Sequence, residues 1–242
     1  MSTYPSPFDR SRSYPVDYQG RAVSPQVIAR FFNSVYAWMA AGLALTAFVA
    51  YWVSTRADIL ANLGGGVFIG LFIAQIILVV TISAAVRRVG PAMATVLFLI
   101  YAALNGVTLS GIFLVYAHST LASAFAITAG MFGVMSLYGF FTQRDLSAWG
   151  SLLFMGLVGI ILASIVSIFW HNSMLNVAIN YIGVLIFVGL TAYDTQMLKQ
   201  IAVQTAGEAT LAARLSISGA LMLYLDFLNL FLFLLRSLSD RR

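Results

Sequence analysis

The stretch "LIFVGLTAYDTQMLKQ", residues 185–200, is apolar over two helical turns and then carries an acid, Asp194. Of the 242 residues, 61% are hydrophobic and only 9% are charged, whereas soluble domains carry about 25% charged residues. The composition therefore predicts an integral membrane protein, with the lipid bilayer as a partner. Because the chain has no cysteine, disulfides, thiolate metal sites and cysteine nucleophiles are excluded.

Seven apolar runs have lengths near the roughly 20 residues that cross a bilayer as a helix. The runs are continuously apolar and do not alternate, which is not the pattern of membrane strands. We predict an all-α fold with seven transmembrane helices within residues 31–242. The predicted spans are 33–54, 62–86, 91–116, 121–142, 148–170, 175–201 and 212–236.

The first thirty residues differ from the rest of the chain. They hold four of the five prolines and have no apolar core of the kind that a cleaved signal peptide needs. Residues 1–30 are therefore predicted to form a disordered polar tail, which could dock a partner.

The basic residues predict the orientation, because short cytoplasmic loops are enriched in Lys and Arg. With seven spans, one side carries nine basic residues and the other carries four, which places the amino terminus in the cytoplasm. The first set is Arg10, Arg12, Arg21, Arg30, Arg87, Arg88, Arg144, Lys199 and Arg214, and the second is Arg56, Arg236, Arg241 and Arg242. A six-span chain with one re-entrant segment would instead keep the basic carboxyl terminus inside. We interpret the net charge of +5 as a topology signal, with no nucleic acid as partner.

Two acids lie inside the predicted spans, where an unpaired charge is costly. Asp194 is on the sixth span, and Asp226, in "ALMLYLDFLNLFLFLLR", is on the seventh. If these helices end near Val203 and begin near Ala212, both acids lie roughly 13 to 21 Å from the shared connection at 1.5 Å per residue. They can therefore meet, and two carboxylates in contact away from water share a proton, which makes the pair a candidate proton switch.

The alternative interpretation gives each acid a structural role. Each would then hydrogen-bond a neighbouring helix, with Tyr193, Tyr224 or Asn229 as its partner.

Three segments resemble the signatures of the transmembrane Bax inhibitor motif family, the Bax inhibitor-1 and YccA-like proteins. They are "YIGVLIFVGLTAYDTQ", "LYLDFLNLFLFLLR" and "FFTQRDLSAWGSLL", within a resemblance that covers roughly residues 30 to 237. The resemblance implies a seven-helix fold with the last helix in the centre of the bundle. It also implies a pH-sensitive calcium leak that an aspartate pair closes on the cytoplasmic side.

Carried onto this sequence, the resemblance makes Asp194 and Asp226 the gate, the pH sensor and part of the Ca²⁺ path. Ca²⁺ is then the permeant ion, and no cofactor is implied. "AAVRRVG" offers Arg87, or else Arg88, as a cationic latch for the pair. Gln75 lies at a position in the second helix where the resemblance implies an acidic residue.

The resemblance and the missing targeting sequence suggest a bacterial-type inner-membrane protein. Two rival functions remain open. Paired aspartates also describe an intramembrane aspartyl protease, but Asp226 is preceded by "YL" and no "PAL"-like segment follows, so we expect no enzyme. The other rival is a non-conducting regulator that binds a membrane protease or another membrane complex.

Other residues receive structural interpretations. His118 and His171 lie in different predicted loops and do not make a metal site without further ligands. Asn105 could line a polar path with Thr108 and Ser110, but it is expected to hydrogen-bond a neighbouring helix. Arg144 and Asp145 are expected to form a loop ion pair, with Asp145 near the start of the fifth helix, where its charge suits the helix dipole. Close helix contacts are predicted at Gly64, Gly65, Gly66, Gly70, Gly130, Gly133, Gly156 and Gly159.

Overall fold

The computed structural model describes residues 22–56, 58–59, 64–85, 90–170 and 172–239. The structure is 89% helical, and no strand occurs within those ranges. The predicted all-α fold is therefore confirmed. In the described residues the helices are α1 (Pro25–Ser54), α2 (Gly65–Ala85), α3 (Pro91–Leu109), α4 (Ile112–Val115), α5 (His118–Phe141), α6 (Ser147–Phe169), α7 (Ser173–Gln204) and α8 (Ala209–Ser239).

Seven of the described helical segments are long and apolar enough to cross a membrane, with α3 and the short α4 counting together as Pro91–Val115. In α8, 61% of the most apolar window is buried, against 6% to 33% in the other six spans. High burial of α8 agrees with the central last helix that the family resemblance implies. A multi-pass membrane protein follows from these lengths and compositions.

The first helix begins earlier than predicted. Ser24 adopts an extended N-cap conformation, with φ −70° and ψ 143°, and Pro25 occupies the first turn of α1, where its missing N–H is not needed. The predicted first span at residue 33 was therefore wrong by eight residues, and the predicted tail boundary at residue 30 falls inside α1. Residues 1–21 lie outside the described residues. With α3 and α4 counted together as one span, the other helix ends agree with the predicted spans within three residues.

The chain divides into two compact units. The amino-terminal unit consists of residues 1–115 and 199–224, and the carboxyl-terminal unit consists of residues 116–198 and 225–242. In the amino-terminal unit, α3 packs against both α1 and α2. Helices α7 and α8 each contribute a segment to both units, and Gly207, with φ 100°, lies in the turn that joins them.

A buried hydrogen-bond chain links three helices of the amino-terminal unit. Thr46 on α1 donates to the carbonyl of Ala102 on α3 at 2.8 Å. The hydroxyl oxygens of Tyr224 and Thr46 are 2.7 Å apart, and because the single hydroxyl hydrogen of Thr46 is already used, Tyr224 is the donor. The rings of Phe98 and Tyr101 lie edge-on to Tyr224. Tyr224 thereby fixes this part of α8 to α1 and α3.

Most of the glycine predictions were wrong. A Cβ added at Gly64, Gly65, Gly66, Gly70, Gly130, Gly133 or Gly159 would meet nothing within 4 Å, whereas one at Gly156 would lie 2.7 Å from Ile186. The other close approaches in the carboxyl-terminal unit occur at Gly139, Gly150, Gly183 and Gly189. Sequence alone does not separate a glycine that faces lipid from one that faces a helix, because both lie in equally apolar surroundings.

Candidate functional site

The structure brings Asp194 and Asp226 together in the carboxyl-terminal unit. Asp194, on α7, is 8% exposed, and Asp226, on α8, is 4% exposed. Their side chains are hydrogen-bonded to each other. A hydrogen bond between two carboxyl groups requires a proton on one of them, because ionised carboxylates only accept hydrogen bonds.

One oxygen of the pair has no protein partner. Oδ2 of Asp226 is buried and makes no hydrogen bond. Leaving a buried polar atom without a partner typically costs about 1–3 kcal/mol. The pair therefore retains one buried oxygen that can accept a further hydrogen bond or contact a cation.

Tyr193, Tyr224 and Asn229, the hydrogen-bond partners that the structural interpretation gives to the two acids, make other contacts. Asn229 donates through Nδ2 to the carbonyl of Leu225 at 2.8 Å, within its own helix. Tyr224 donates to Thr46, and a Cβ at Gly150 would lie 2.5 Å from the ring of Tyr193. The observed side-chain hydrogen bond of each acid is to the other acid.

Polar contacts on one flank and aromatic rings on another fix the helices around the pair. Thr195, which follows Asp194, donates to the carbonyl of Thr191 at 2.7 Å, and its hydroxyl lies 3.0 Å from that of Ser136 on α5. Phe227, which follows Asp226, has Phe125 and Phe132 edge-on at ring-centroid distances of 5.5 Å. The acids are thus held on tightly packed turns of α7 and α8.

Gln196 is a buried polar residue that sequence reasoning missed. It is 2% exposed, and its side-chain amide makes two hydrogen bonds to the backbone of the α5–α6 loop. The family-like segments "AYDTQ" and "TQRDLS" contain both partners, but nothing in the sequence says that they touch.

The remaining sequence candidates lie apart from the pair or outside the described residues. Gln75 donates to Thr108 at 2.9 Å within the amino-terminal unit, and Asn105 donates to Tyr101 of its own helix at 3.0 Å, which is not the interhelical bond predicted. His118 is the first residue of α5 rather than a loop residue. Arg87, Arg88 and His171 lie outside the described residues.

A cavity of about 370 Å³ lies in the amino-terminal unit, near the start of α1 and the α7–α8 turn. Its lining includes Arg30, Ser34, Thr205 and Ser216, and neither acid of the pair contributes to it. Within the described residues, no group of three or more histidines, cysteines or acids could hold a metal ion. The aspartate pair therefore remains the candidate site.

Comparison with known proteins gives the family. The model of the family described as inhibitor of apoptosis-promoting Bax1 matches residues 28–242. Inner membrane protein YbhL of Escherichia coli K12 is 51% identical over 215 residues, which cover 88% of this chain and 92% of the relative. An uncharacterized protein of Deinococcus radiodurans is 45% identical with the same coverage, and one of Caulobacter vibrioides is 37% identical over 96% of both chains. These matches confirm the resemblance seen in the motifs, and the chain belongs to the Bax inhibitor-1 family of membrane proteins.

Proposed function

We propose that the protein is a pH-sensitive cation leak, with Ca²⁺ as the permeant ion and with Asp194 and Asp226 as gate and proton sensor. The proposal is supported above all by one observation, the hydrogen bond between two buried acids on two membrane-spanning helices. Ionisable side chains inside spans are costly and mark ion or proton pathways. The pair is assigned transport and not hydrolysis, and the protein is proposed not to be an enzyme.

The number of protons on the pair determines the force between α7 and α8. With one proton, the acids share a hydrogen bond and a single negative charge. Removing it leaves two like charges, which repel by about 4 kcal/mol at 4 Å for an effective dielectric constant of 20. Adding a second proton removes the net charge. The contact between the two helices is therefore pH-dependent, and the transition belongs to the pair as a whole.

The same oxygens suit a passing calcium ion. Ca²⁺ prefers carboxylate and carbonyl oxygens and takes six to eight of them. Two carboxyl groups supply at most four oxygens, so they would bind the ion weakly. Weak binding favours passage, because an ion that is held tightly does not leave.

Two further parts of the proposal rest on the resemblance and on charge counting. Arg87, or else Arg88, is proposed as the cationic latch that contacts the pair at low proton occupancy. The amino terminus is proposed to lie in the cytoplasm, by the nine-to-four distribution of basic residues. The name of the Escherichia coli relative, an inner membrane protein, supports an inner-membrane location.

Calcium flux from liposomes that contain the purified full chain tests the proposal. Wild type, Asp194→Asn, Asp226→Asn and the double variant are compared as a function of pH, with Asp58→Asn as an exposed control. Asparagine keeps the size of the side chain and removes its titration, so each single variant should conduct with much weaker pH dependence. The double variant should resemble the singles, because residues that act as one unit are not additive.

Two outcomes would contradict this reading. Unchanged pH profiles in both single variants would return the acids to a helix-packing role. Absence of flux at every pH, in protein that elutes as a folded species, would instead favour the non-conducting regulator that binds a membrane protease or another membrane complex.

A further inference from the structure

The α5–α6 loop, residues 142–146, is fastened to α7 by one side chain. Gln196 donates through Nε2 to the carbonyl of Arg144 at 2.7 Å, and its Oε1 accepts from the backbone N–H of Leu146 at 2.9 Å. An amide side chain that donates to one peptide group and accepts from another pairs as a second backbone strand would. We call this pair of hydrogen bonds the Gln196 clamp.

The loop itself has a fixed shape. The backbone N–H of Arg144 donates to Oγ1 of Thr142 at 3.2 Å. Oδ1 of Asp145 accepts from the backbone N–H of Ser147 at 2.9 Å, which places this acid beside the first residue of α6, the position predicted for it. The side chains of residues 143–145 are exposed, whereas Leu146 is 9% exposed. The clamp thus joins a preformed loop to a buried turn of α7.

That turn of α7 also carries Asp194. With 3.6 residues per helical turn, Asp194 and Gln196 point in directions about 200° apart. Asp194 meets Asp226 on one side, and Gln196 meets the loop on the other. Two further contacts to α5 hold this turn, since the hydroxyls of Ser136 and Thr195 are 3.0 Å apart and Gly139 abuts the carbonyl of Ala192. Rotation of α7 is therefore limited from both sides.

From this geometry we infer that Gln196 is a positioning residue, which sets the separation of the Asp194 and Asp226 carboxyl groups and thereby the pH at which the pair changes its proton occupancy. The inference rests on the proposed function in that it concerns the same pair of acids. Its physical cause is mechanical: without the clamp, α7 loses one of its restraints against rotation, and the carboxyl groups can move farther apart. A wider separation weakens the shared hydrogen bond.

The surrounding charges do not offer a simpler route to the same effect. Within the described residues, burial acts on both acids, each acid is hydrogen-bonded to the other, and the charged group that acts on Asp226 is Asp194. The charged side chains of the loop, Arg144 and Asp145, are exposed, and Lys199 lies five residues beyond Asp194 on α7. Replacing the uncharged Gln196 with another uncharged residue therefore changes position and not charge.

The test uses Gln196→Met, which removes both hydrogen bonds at nearly constant size, and the milder Gln196→Asn, which is too short to make both. Gln204→Met, at an exposed position near the end of α7, is the control. Infrared spectroscopy follows the protonated carboxyl band of the pair against pH, assigned by its loss in Asp194→Asn and Asp226→Asn. Hydrogen exchange follows the Leu146 amide.

In Gln196→Met we expect the Leu146 amide to exchange about tenfold faster. We also expect the pH at which half of the protonated carboxyl band is lost, the infrared midpoint, to fall by about half a unit or more. The direction follows because a weaker shared hydrogen bond makes the shared proton easier to lose. Gln204→Met should change neither quantity. Faster exchange with an unmoved midpoint would show that the clamp is structural only, and unchanged exchange would show that it is not formed. Either result overturns the inference.

The wild-type chain provides a test that needs no variant. Coupling between two sites is reciprocal, so protection of the Leu146 amide, corrected for intrinsic exchange, should change across the pH interval of the infrared transition. The amide of Trp170, bonded to Val166 at the other end of α6, serves as control. A constant Leu146 protection would refute the coupling. Neither measurement uses ion flux. If the protein proved not to conduct ions, the inference about Gln196 could therefore still be tested separately.

Discussion

Gly139 on α5 lies against the backbone of α7, and replacing it with alanine should separate the two helices. A Cβ at this position would abut the carbonyl oxygen of Ala192 and would lie 2.9 Å from its carbonyl carbon and 3.0 Å from its Cα. Ordinary carbon–carbon contacts are about 3.5–4.0 Å, so the helices must move apart by roughly 0.5–1 Å. Backbone atoms cannot turn aside as a side chain can.

The expected cost has three parts. Overpacking typically costs about 1–3 kcal/mol, and the 3.0 Å contact between Ser136 and Thr195, if stretched out of hydrogen-bond range, costs about 1 kcal/mol more. The higher helix propensity of alanine stabilises the helix by about 1 kcal/mol and offsets part of this cost. Gly139→Ala should therefore lower the free energy of unfolding by about 1–3 kcal/mol. Gly133→Ala, on the same helix with nothing within 4 Å, should gain the propensity term alone.

Thermal unfolding of the two variants in the same detergent measures the difference. For a chain of this size, 1 kcal/mol corresponds to about 2–4 °C, so the midpoint of Gly139→Ala should lie on the order of 5–10 °C below that of Gly133→Ala. The two variants make the same chemical change, so a general effect of alanine cancels. Equal midpoints would refute the close approach of α5 and α7 and, with it, the rigid support argued for Asp194.

Three further predictions concern other parts of the molecule. A reporter fused after the last residue should be active on the periplasmic side, because seven spans separate it from a cytoplasmic amino terminus, and cytoplasmic activity in a folded fusion would refute that topology. Tyr224→Phe should cost about 1 kcal/mol through the hydrogen bond lost to Thr46, while the exposed Tyr138→Phe should leave the unfolding midpoint unchanged. Hydrogen bonds from the start of α6 hold the pKa of Asp145 below its ordinary value, so its contribution to stability is present above the unfolded-state pKa and is lost as pH falls through the folded-state pKa. The difference in unfolding midpoint between wild type and Asp145→Asn should accordingly shrink on acidification, and a difference that is constant with pH would count against a stabilising role of these hydrogen bonds.

The spans and the two acids of the candidate site could be predicted from local properties of the sequence. An apolar run near the length of a membrane crossing is a local property, so six of the seven spans were placed within three residues of the observed helices. Pro91 marked the start of α3 correctly. The start of α1 is not evident from composition, because the N-cap residue Ser24 and Pro25 continue the proline-rich tail. Asp194 and Asp226 stood out because an acid in a span is costly wherever it points.

Which polar groups meet could be seen only in the folded chain. Gln196 and Leu146 are 50 residues apart in sequence, and neither residue type predicts that the two are in contact. Likewise, Gly139 and Gly133 are equivalent in any local pattern, yet one abuts a backbone carbonyl and the other faces open space. In a membrane chain, lipid and protein interior are almost equally apolar, so hydrophobicity reports that a helix crosses the bilayer but not which face it turns toward its neighbours. That choice depends on contacts between distant segments, and these exist only in the folded protein.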